Sequence, residues 1–244
     1  GLIFNRNFRK KQAPRHYKPL PTNKNQILLF GEFKAINNDK NYIAELFTPK
    51  VKELFLYILI HTLKNGIGAN VAEVNEKLWP GIPSNKVANN RSVTLNKLRR
   101  ILLQFKGMEI IATNGYLQAK IEESFFCDYV EAFNLCQIPE GMSKKQLASF
   151  FQLVKRGRFL KGIDWNWLDD IRGFTGNQVI DNLLKLATIH KKENNLKEVE
   201  KVAQRILDYD DLNEEAIYLQ IWALKEANNI NLAKFNFKSY CTKY

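Results

Sequence analysis

Apolar and polar positions fall into three textures along the chain. Residues 26–47 alternate, with Ile27-Leu28-Leu29-Phe30, Phe33, Ala35 and Ile36 before a turn at Asn37-Asn38-Asp39 and Tyr42-Ile43-Ala44 after it. A period of two predicts three or four short antiparallel strands. The period then lengthens to that of a helix. Val51, Leu54, Phe55, Ile58, Leu59 and Thr62 or Leu63 share one face. Thr48 is placed to cap that helix, with Pro49 at its first position, and Asn65-Gly66 supplies a left-handed end.

A shorter stripe of Val71, Val74 and Leu78 predicts a second helix from Asn70 to about Lys77, stopped by Pro80-Gly81. Ser84 is expected to cap a third helix of about twenty residues. On a helical wheel Ala88, Leu95, Leu98 and Leu102 form its buried face. Lys86, Asn89, Asn90, Val93, Asn96, Lys97 and Arg100 fall on the other side. After Gly107, Glu109–Ala112 and Tyr116–Ile121 read as two strands joined at Thr113-Asn114-Gly115, a favoured tight hairpin turn. In order, these are a scaffold helix, a short helix, a basic helix and a two-stranded wing.

From Ser124 onward the texture is helical. Phe125, Phe126, Tyr129 and Phe133 open it, Leu147–Val154 forms a further helix, and apolar-striped segments follow at 180–192, 196–208, 214–227 and 230–241. Asn194-Asn195-Leu196 recurs as Asn228-Asn229-Ile230, each between two of those segments. A helix-turn-helix period of 34 residues is the tetratricopeptide spacing.

Charge divides the chain. The net charge is +12. Residues 1–25 hold seven Lys/Arg and no acid, residues 26–121 hold thirteen bases and seven acids, and residues 122–244 hold seventeen and eighteen. The excess therefore lies wholly in the first half, as expected of one module facing a polyanion and another facing something else. Gly1-Leu2-Ile3-Phe4, running into an acid-free basic stretch, has the look of the cytoplasmic flank of a membrane span; a flexible basic arm has the same composition. Pro14, Pro19 and Pro21 mark residues 12–25 as a linker.

The third helix carries the most specific chemistry. Asn bonds adenine bidentately, Arg or Lys bonds guanine, and Val touches a thymine methyl. Its remaining bases neutralise phosphates. Arg91 and Arg99 do not face fully outward, so each either lies along the scaffold with its head on a phosphate or snorkels. At the wing, Thr113 and Lys120 are candidate backbone or minor-groove contacts.

Other residues argue against enzymatic chemistry. The acid pairs Glu122-Glu123, Asp169-Asp170, Asp210-Asp211 and Glu214-Glu215 sit at predicted element ends, where acids favour helix N-termini or solvent. His16, His61 and His190 have no nucleophile or metal spacing beside them, and no Gly-rich phosphate loop occurs. Neither a cofactor nor a metal is expected. Cys127, Cys136 and Cys241 read as small core residues in a reducing compartment, and Trp79, Trp165, Trp167 and Trp222 as core aromatics.

Leu29-Phe30-Gly31-Glu32-Phe33, Thr48-Pro49-Lys50, Leu78-Trp79-Pro80, Asn90, Leu98-Arg99-Arg100 and Gly115-Tyr116 resemble the OmpR-type winged helix as found in SARP-type transcriptional regulators. Asp128 to Phe133, Gly157-Arg158-Phe159-Leu160, Trp167-Leu168 and Asp211-Leu212-Asn213-Glu214-Glu215-Ala216 resemble the bacterial transcriptional activation domain that follows it, which is tetratricopeptide-like. Asp210-Asp211-Leu212 departs from that pattern's usual Asp-Pro-Leu, and the third helix has more Asn and fewer Arg than many relatives.

The resemblance implies an α+β winged helix-turn-helix with a four-stranded antiparallel N-terminal sheet, followed by an all-α domain that contacts another protein. The expected division is an arm at 1–25, a DNA-binding domain at 26–122 and a helical activation or oligomerisation domain at 123–244. The expected function is sequence-specific transcriptional regulation. Helix 84–104 would lie in the major groove of double-stranded DNA and wing 108–121 on the neighbouring backbone, with tandem binding to direct repeats. The helical domain would support self-association or RNA polymerase contact. A cytoplasmic site is expected, and the juxtamembrane reading of the basic start adds attachment to an inner membrane through a segment preceding Gly1. The alternative is a signalling or protein-interaction module whose winged helix does not bind DNA.

Overall fold

The structure is a computed structural model, and it describes residues 24–105 and 107–243. The basic arm at 1–25 lies almost entirely outside the described residues. Those that are described form two compact units, one of residues 24–27 and 34–130, the other of residues 28–33 and 131–243.

The first unit is built round α1 (Pro49–Asn65), which is buried on nearly every side from Val51 to Leu63. An apolar helix of this kind must be a central element rather than a surface one. Gly66, at φ 73°, ends it with the expected left-handed residue. Its Thr48 cap makes no side-chain hydrogen bond; Pro49 at the first position removes one donor that would otherwise need a partner. Beyond lie β3 (Ala69–Asn70), α2 (Val71–Leu78), α3 (Ser84–Leu102), β4 (Met108–Thr113) and β5 (Tyr116–Ile121). Asn70 caps α2, its Oδ1 accepting from the amides of Ala72 at 2.8 Å and Glu73 at 3.4 Å.

Two small sheets flank these helices. In one, β5 is central between β3 and β4. In the other, β1 (Gln26–Leu28) is central between β2 (Lys34–Ile36) and β6 (Phe126–Cys127). This second sheet differs from the expected antiparallel, four-stranded one. Tyr42 makes only an isolated bridge to Ile36, and Ala44–Leu46 is a 3-10 turn. The third strand comes instead from beyond the wing and runs parallel to β1, pairing Gln26 with Phe126 and Ile27 with Cys127. The Phe125 amide bonds the Glu122 carbonyl at 3.1 Å, turning the chain so that the Phe126 amide meets the Asn25 carbonyl at 3.0 Å. Below it Phe47, Phe55, Phe105 and Phe125 pack edge-on or tilted, with ring centroids 5.6 to 6.3 Å apart.

The second unit holds most of α4 (Asp128–Cys136), and α5 (Lys144–Val154), α6 (Asp169–Lys192), α7 (Leu196–Tyr209), α8 (Glu214–Glu226) and α9 (Ile230–Lys243). The 34-residue repeat is explicit in its backbone. Asn194 and Asn228 take φ values of 54° and 58°. The Asn195 amide bonds the His190 carbonyl at 2.9 Å, and the Asn229 amide bonds the Leu224 carbonyl at 2.8 Å. Across successive helices a polar ladder runs from Gln204 to Gln220 to Asn236, at 2.9 and 3.1 Å.

This unit also takes in the segment Leu28–Phe33, which lies within the stretch 26–122 expected to form the winged helix. Leu160 N donates to Leu29 O at 2.7 Å, Gly31 N to Arg158 O at 2.8 Å and Lys161 N to Gly31 O at 2.9 Å, so residues 29–31 pair with 158–161. Phe30 and Phe159 meet edge to face with centroids 5.9 Å apart. Gly31 sits at φ 79°, and a Cβ there would lie 2.8 Å from the Arg156 carbonyl oxygen.

The acid pairs Asp169-Asp170 and Glu214-Glu215 occupy the first turns of α6 and α8. Trp79 is buried as expected, whereas Trp165 and Trp167 are half-buried and stack with centroids 5.6 Å apart. Only Cys127 of the three cysteines is fully buried; Cys136 is partly covered and Cys241 is exposed on α9. No helix among the described residues is long and apolar enough to cross a membrane.

Candidate nucleic-acid interface

The candidate interface starts from α3, whose nineteen residues hold five bases and no acid. Its buried side is Val87, Thr94, Leu95, Leu98, Ile101 and Leu102. Ala88, expected inside, is exposed. Val87, Thr94 and Ile101 recur every seven residues and set the inward line instead. Ser84 is the first helical residue, and Pro83 occupies the cap position without a side-chain hydrogen bond. Pro83 O accepts from the amides of Lys86 at 2.9 Å and Val87 at 3.0 Å, which satisfies two of the first-turn donors.

Rotating the wheel onto that inward line centres the outward face on Asn89 and Asn96. Lys86, Asn89, Val93, Asn96, Lys97 and Arg100 are all exposed, Val93 to 46%. Asn90 lies at the edge, half-buried, with its carbonyl accepting from Thr94 Oγ1 at 2.7 Å. The rotation adds Asn85 and Ser92, both exposed and both missed by a wheel anchored on Ala88. A search for the best seven-residue line through Val87 would have found them.

Arg91 and Arg99 are half-buried and hold the neighbouring elements. Arg91 Nη1 donates to Asn75 Oδ1 on α2 at 2.6 Å. Arg99 Nε donates to the Ile110 carbonyl on β4 at 3.2 Å. The two arginines thus tie α3 to the short helix before it and to the hairpin after it. Lys50 ties α1 to the same corner, donating to Glu53 Oε2 at 2.6 Å and to the Leu78 carbonyl at 2.7 Å.

The hairpin turns at Asn114 and Gly115, with φ values of 50° and 78°, the backbone a two-residue turn of this type requires. Thr113 is exposed beside it. Lys120 is exposed too, but faces Glu109 across the strands at 3.0 Å, and that hydrogen bond raises the Lys120 ammonium above its ordinary range. The turn is fixed from beneath. Gly115 O accepts from the Val71 amide at 2.9 Å, and Thr62 Oγ1 on α1 accepts from the Ala119 amide at 3.0 Å. The arrangement presents one helix face of exposed cations and amide side chains, flanked by a braced hairpin tip.

No family model matches the chain, and no curated protein matches it. Among solved structures, EmbR of Mycobacterium tuberculosis, determined in complex with a low-affinity phosphopeptide, is similar with a TM-score of 0.62 at 12% identity. The similarity covers 90% of this chain and 59% of EmbR, so the chain spans a little under three-fifths of that protein's length. The two proteins therefore share a fold over most of this chain, at 12% sequence identity.

Proposed function

We propose that this chain is a sequence-specific DNA-binding transcriptional regulator of the SARP type. The observation that carries the reading is the outward face of α3. Lys86, Asn89, Val93, Asn96, Lys97 and Arg100 form one exposed stripe with no acid on the helix. A major groove is about 12 Å wide and admits one helix, and amide and guanidinium side chains read its base edges. α3 enters that groove, Thr113 and the hairpin tip lie on the adjacent backbone, and Arg91 and Arg99 set the angle between the two. The helical unit supplies contacts to a second copy or to polymerase. Binding of tandem copies to direct repeats makes up for a modest electrostatic grip.

Selection from a random duplex pool, followed by anisotropy titration at several salt concentrations, tests this. Enrichment of one sequence is expected. If about five phosphates are neutralised, log K falls with log salt at a slope near −4.5. Retention only at very low salt with no sequence enriched would leave a winged helix that serves protein interaction.

A further inference from the structure

Several asparagines of the first unit have structural tasks. Asn65 Oδ1 accepts from the amides of Ile67 and Gly68, both at 2.8 Å, and closes the turn after α1. Asn70 caps α2, and Asn75 holds Arg91. At the start of α3, Asn85 Oδ1 accepts from the Lys86 amide at 2.9 Å. Each bonds groups close by, a habit that suits caps and turns and disfavours helix interiors.

Asn89 and Asn96 depart from that habit. Both lie inside α3, both are exposed, and among the described residues their side-chain amides have no hydrogen-bond partner. Val93, 46% exposed, stands between them. The three recur at i, i+4 and i+7, so they form a single line at the centre of the outward face. A face that met only water would be more stable with lysine, glutamate or glutamine, because asparagine and valine are poorer helix formers. The line weakens the helix it stands on, which a ligand for those side chains explains.

The cations stand apart from this line. At about 100° of turn per residue, Lys86 and Lys97 lie about 60–80° to one side of Asn89, and Arg100 lies a turn beyond Asn96. They are placed for phosphates or for the end of the contact, which leaves the centre without a group that pairs with guanine O6 and N7. An amide matches adenine N6 and N7 with one acceptor and one donor, and an apolar side chain packs on a thymine methyl. From Asn89 to Asn96 is about 10 Å of helix, the span of about three base pairs.

We infer that α3 reads a core of about three A·T pairs through their major-groove edges, with one adenine bonded by Asn89, another by Asn96 and a thymine methyl against Val93. The inference rests on the reading of α3 as the recognition helix and gives that helix its base preference.

The test uses the whole chain. Duplexes are selected from a pool with a random centre, and the enriched duplex is titrated by anisotropy with base analogues at each position. Three neighbouring A·T pairs are expected in the enriched site. An inosine–cytosine pair keeps the minor-groove face of A·T and carries the major-groove face of G·C. Placed at any of the three, it should weaken binding about tenfold. 7-Deazaadenine, which lacks N7, should weaken binding at two of the pairs. One of these effects should vanish in Asn89→Ala and the other in Asn96→Ala. Deoxyuridine for thymidine at the remaining pair should weaken binding by the unaltered chain, and that effect should shrink in Val93→Ala. All three side chains are exposed, so the variants keep their helical circular dichroism.

An enriched site with G·C at the positions that the variants relax overturns the inference while leaving α3 as the reader. So does equal binding of the inosine duplexes, which would move the A·T preference to the minor groove. Analogue effects that persist in the alanine variants overturn it as well. A pool in which no sequence is enriched gives a different result: the DNA-binding reading itself is removed, and the inference falls with it.

Discussion

Arg91 Nη1 and Asn75 Oδ1 lie 2.6 Å apart, joining the basic helix to the short helix before it. A half-buried guanidinium with such a partner positions a helix. Arg91→Ala should lower stability by about 1 kcal/mol, as expected for a lost hydrogen bond to a charged group that solvent partly screens. In urea denaturation the midpoint should fall with an unchanged slope. Affinity for the selected duplex should drop while its salt dependence stays the same; a shallower salt dependence would instead put Arg91 on a phosphate.

Lys97 and Arg100 are exposed on the opposite side, and the opposite result follows. Each change to Ala should weaken duplex binding and reduce the salt slope by about 0.9, one phosphate's worth of released counterions. Stability should move by no more than about 0.5 kcal/mol. Asn89→Ala should leave the salt slope alone and relax preference at one base pair, at a cost of about 1–3 kcal/mol for the best site. Unchanged binding in both the Lys97 and Arg100 variants would remove α3 from the interface.

Two glycines with nearly equal φ values should respond differently to alanine. At Gly115 no atom lies within 4 Å of an added Cβ, so the cost is backbone strain alone, roughly 1–2 kcal/mol. At Gly31 the same strain is joined by a contact of 2.8 Å with the Arg156 carbonyl, which belongs to backbone and cannot swing aside. Differential scanning calorimetry should show the larger loss for Gly31→Ala.

Thiol reactivity should rank by burial. Cys241 is exposed, whereas burial pushes the Cys136 thiol up to about 12 and Cys127 is buried. Only a thiolate is alkylated. Iodoacetamide mass spectrometry at neutral pH should find Cys241 modified first, with Cys127 and Cys136 protected until the chain unfolds.

His61 stacks on Tyr57 with centroids 4.0 Å apart, and its Nδ1 donates to the Tyr57 carbonyl at 2.8 Å. Burial holds the imidazole below its ordinary range. Below about pH 6.5 the unfolded chain therefore binds a proton that the folded chain resists, and stability falls as pH falls. Melting temperatures taken between pH 8 and pH 5 should decline less steeply in His61→Gln than in the unaltered chain. Parallel curves would rule out His61 as the source.

Helix positions were legible in the pattern because periodicity records which face is buried. α1, α2 and α3, the Asn114-Gly115 turn and the paired helices on either side of Asn194 and Asn228 fall where the spacing put them. Facing direction was less legible. Alanine at 88 fits either side of a helix, so a wheel anchored on it is turned by about one position and leaves out Ser92 and Asn85. The partners of Arg91 and Arg99 could not be read at all, since Asn75 and the Ile110 carbonyl are brought to them only by the packing of α2 and β4.

By itself, the order of residues determined the local elements, the repeat and the placing of positive charge, because each depends on neighbours within a few turns of chain. The tertiary structure alone decided that Phe126 and Cys127 run parallel to a strand a hundred positions earlier. It also decided that Leu29 to Gly31 pair with residues 158–161 in the helical unit. Short apolar strands carry no address for their partners. Backbone hydrogen bonds are chemically alike, so the choice among possible edges falls to long-range packing.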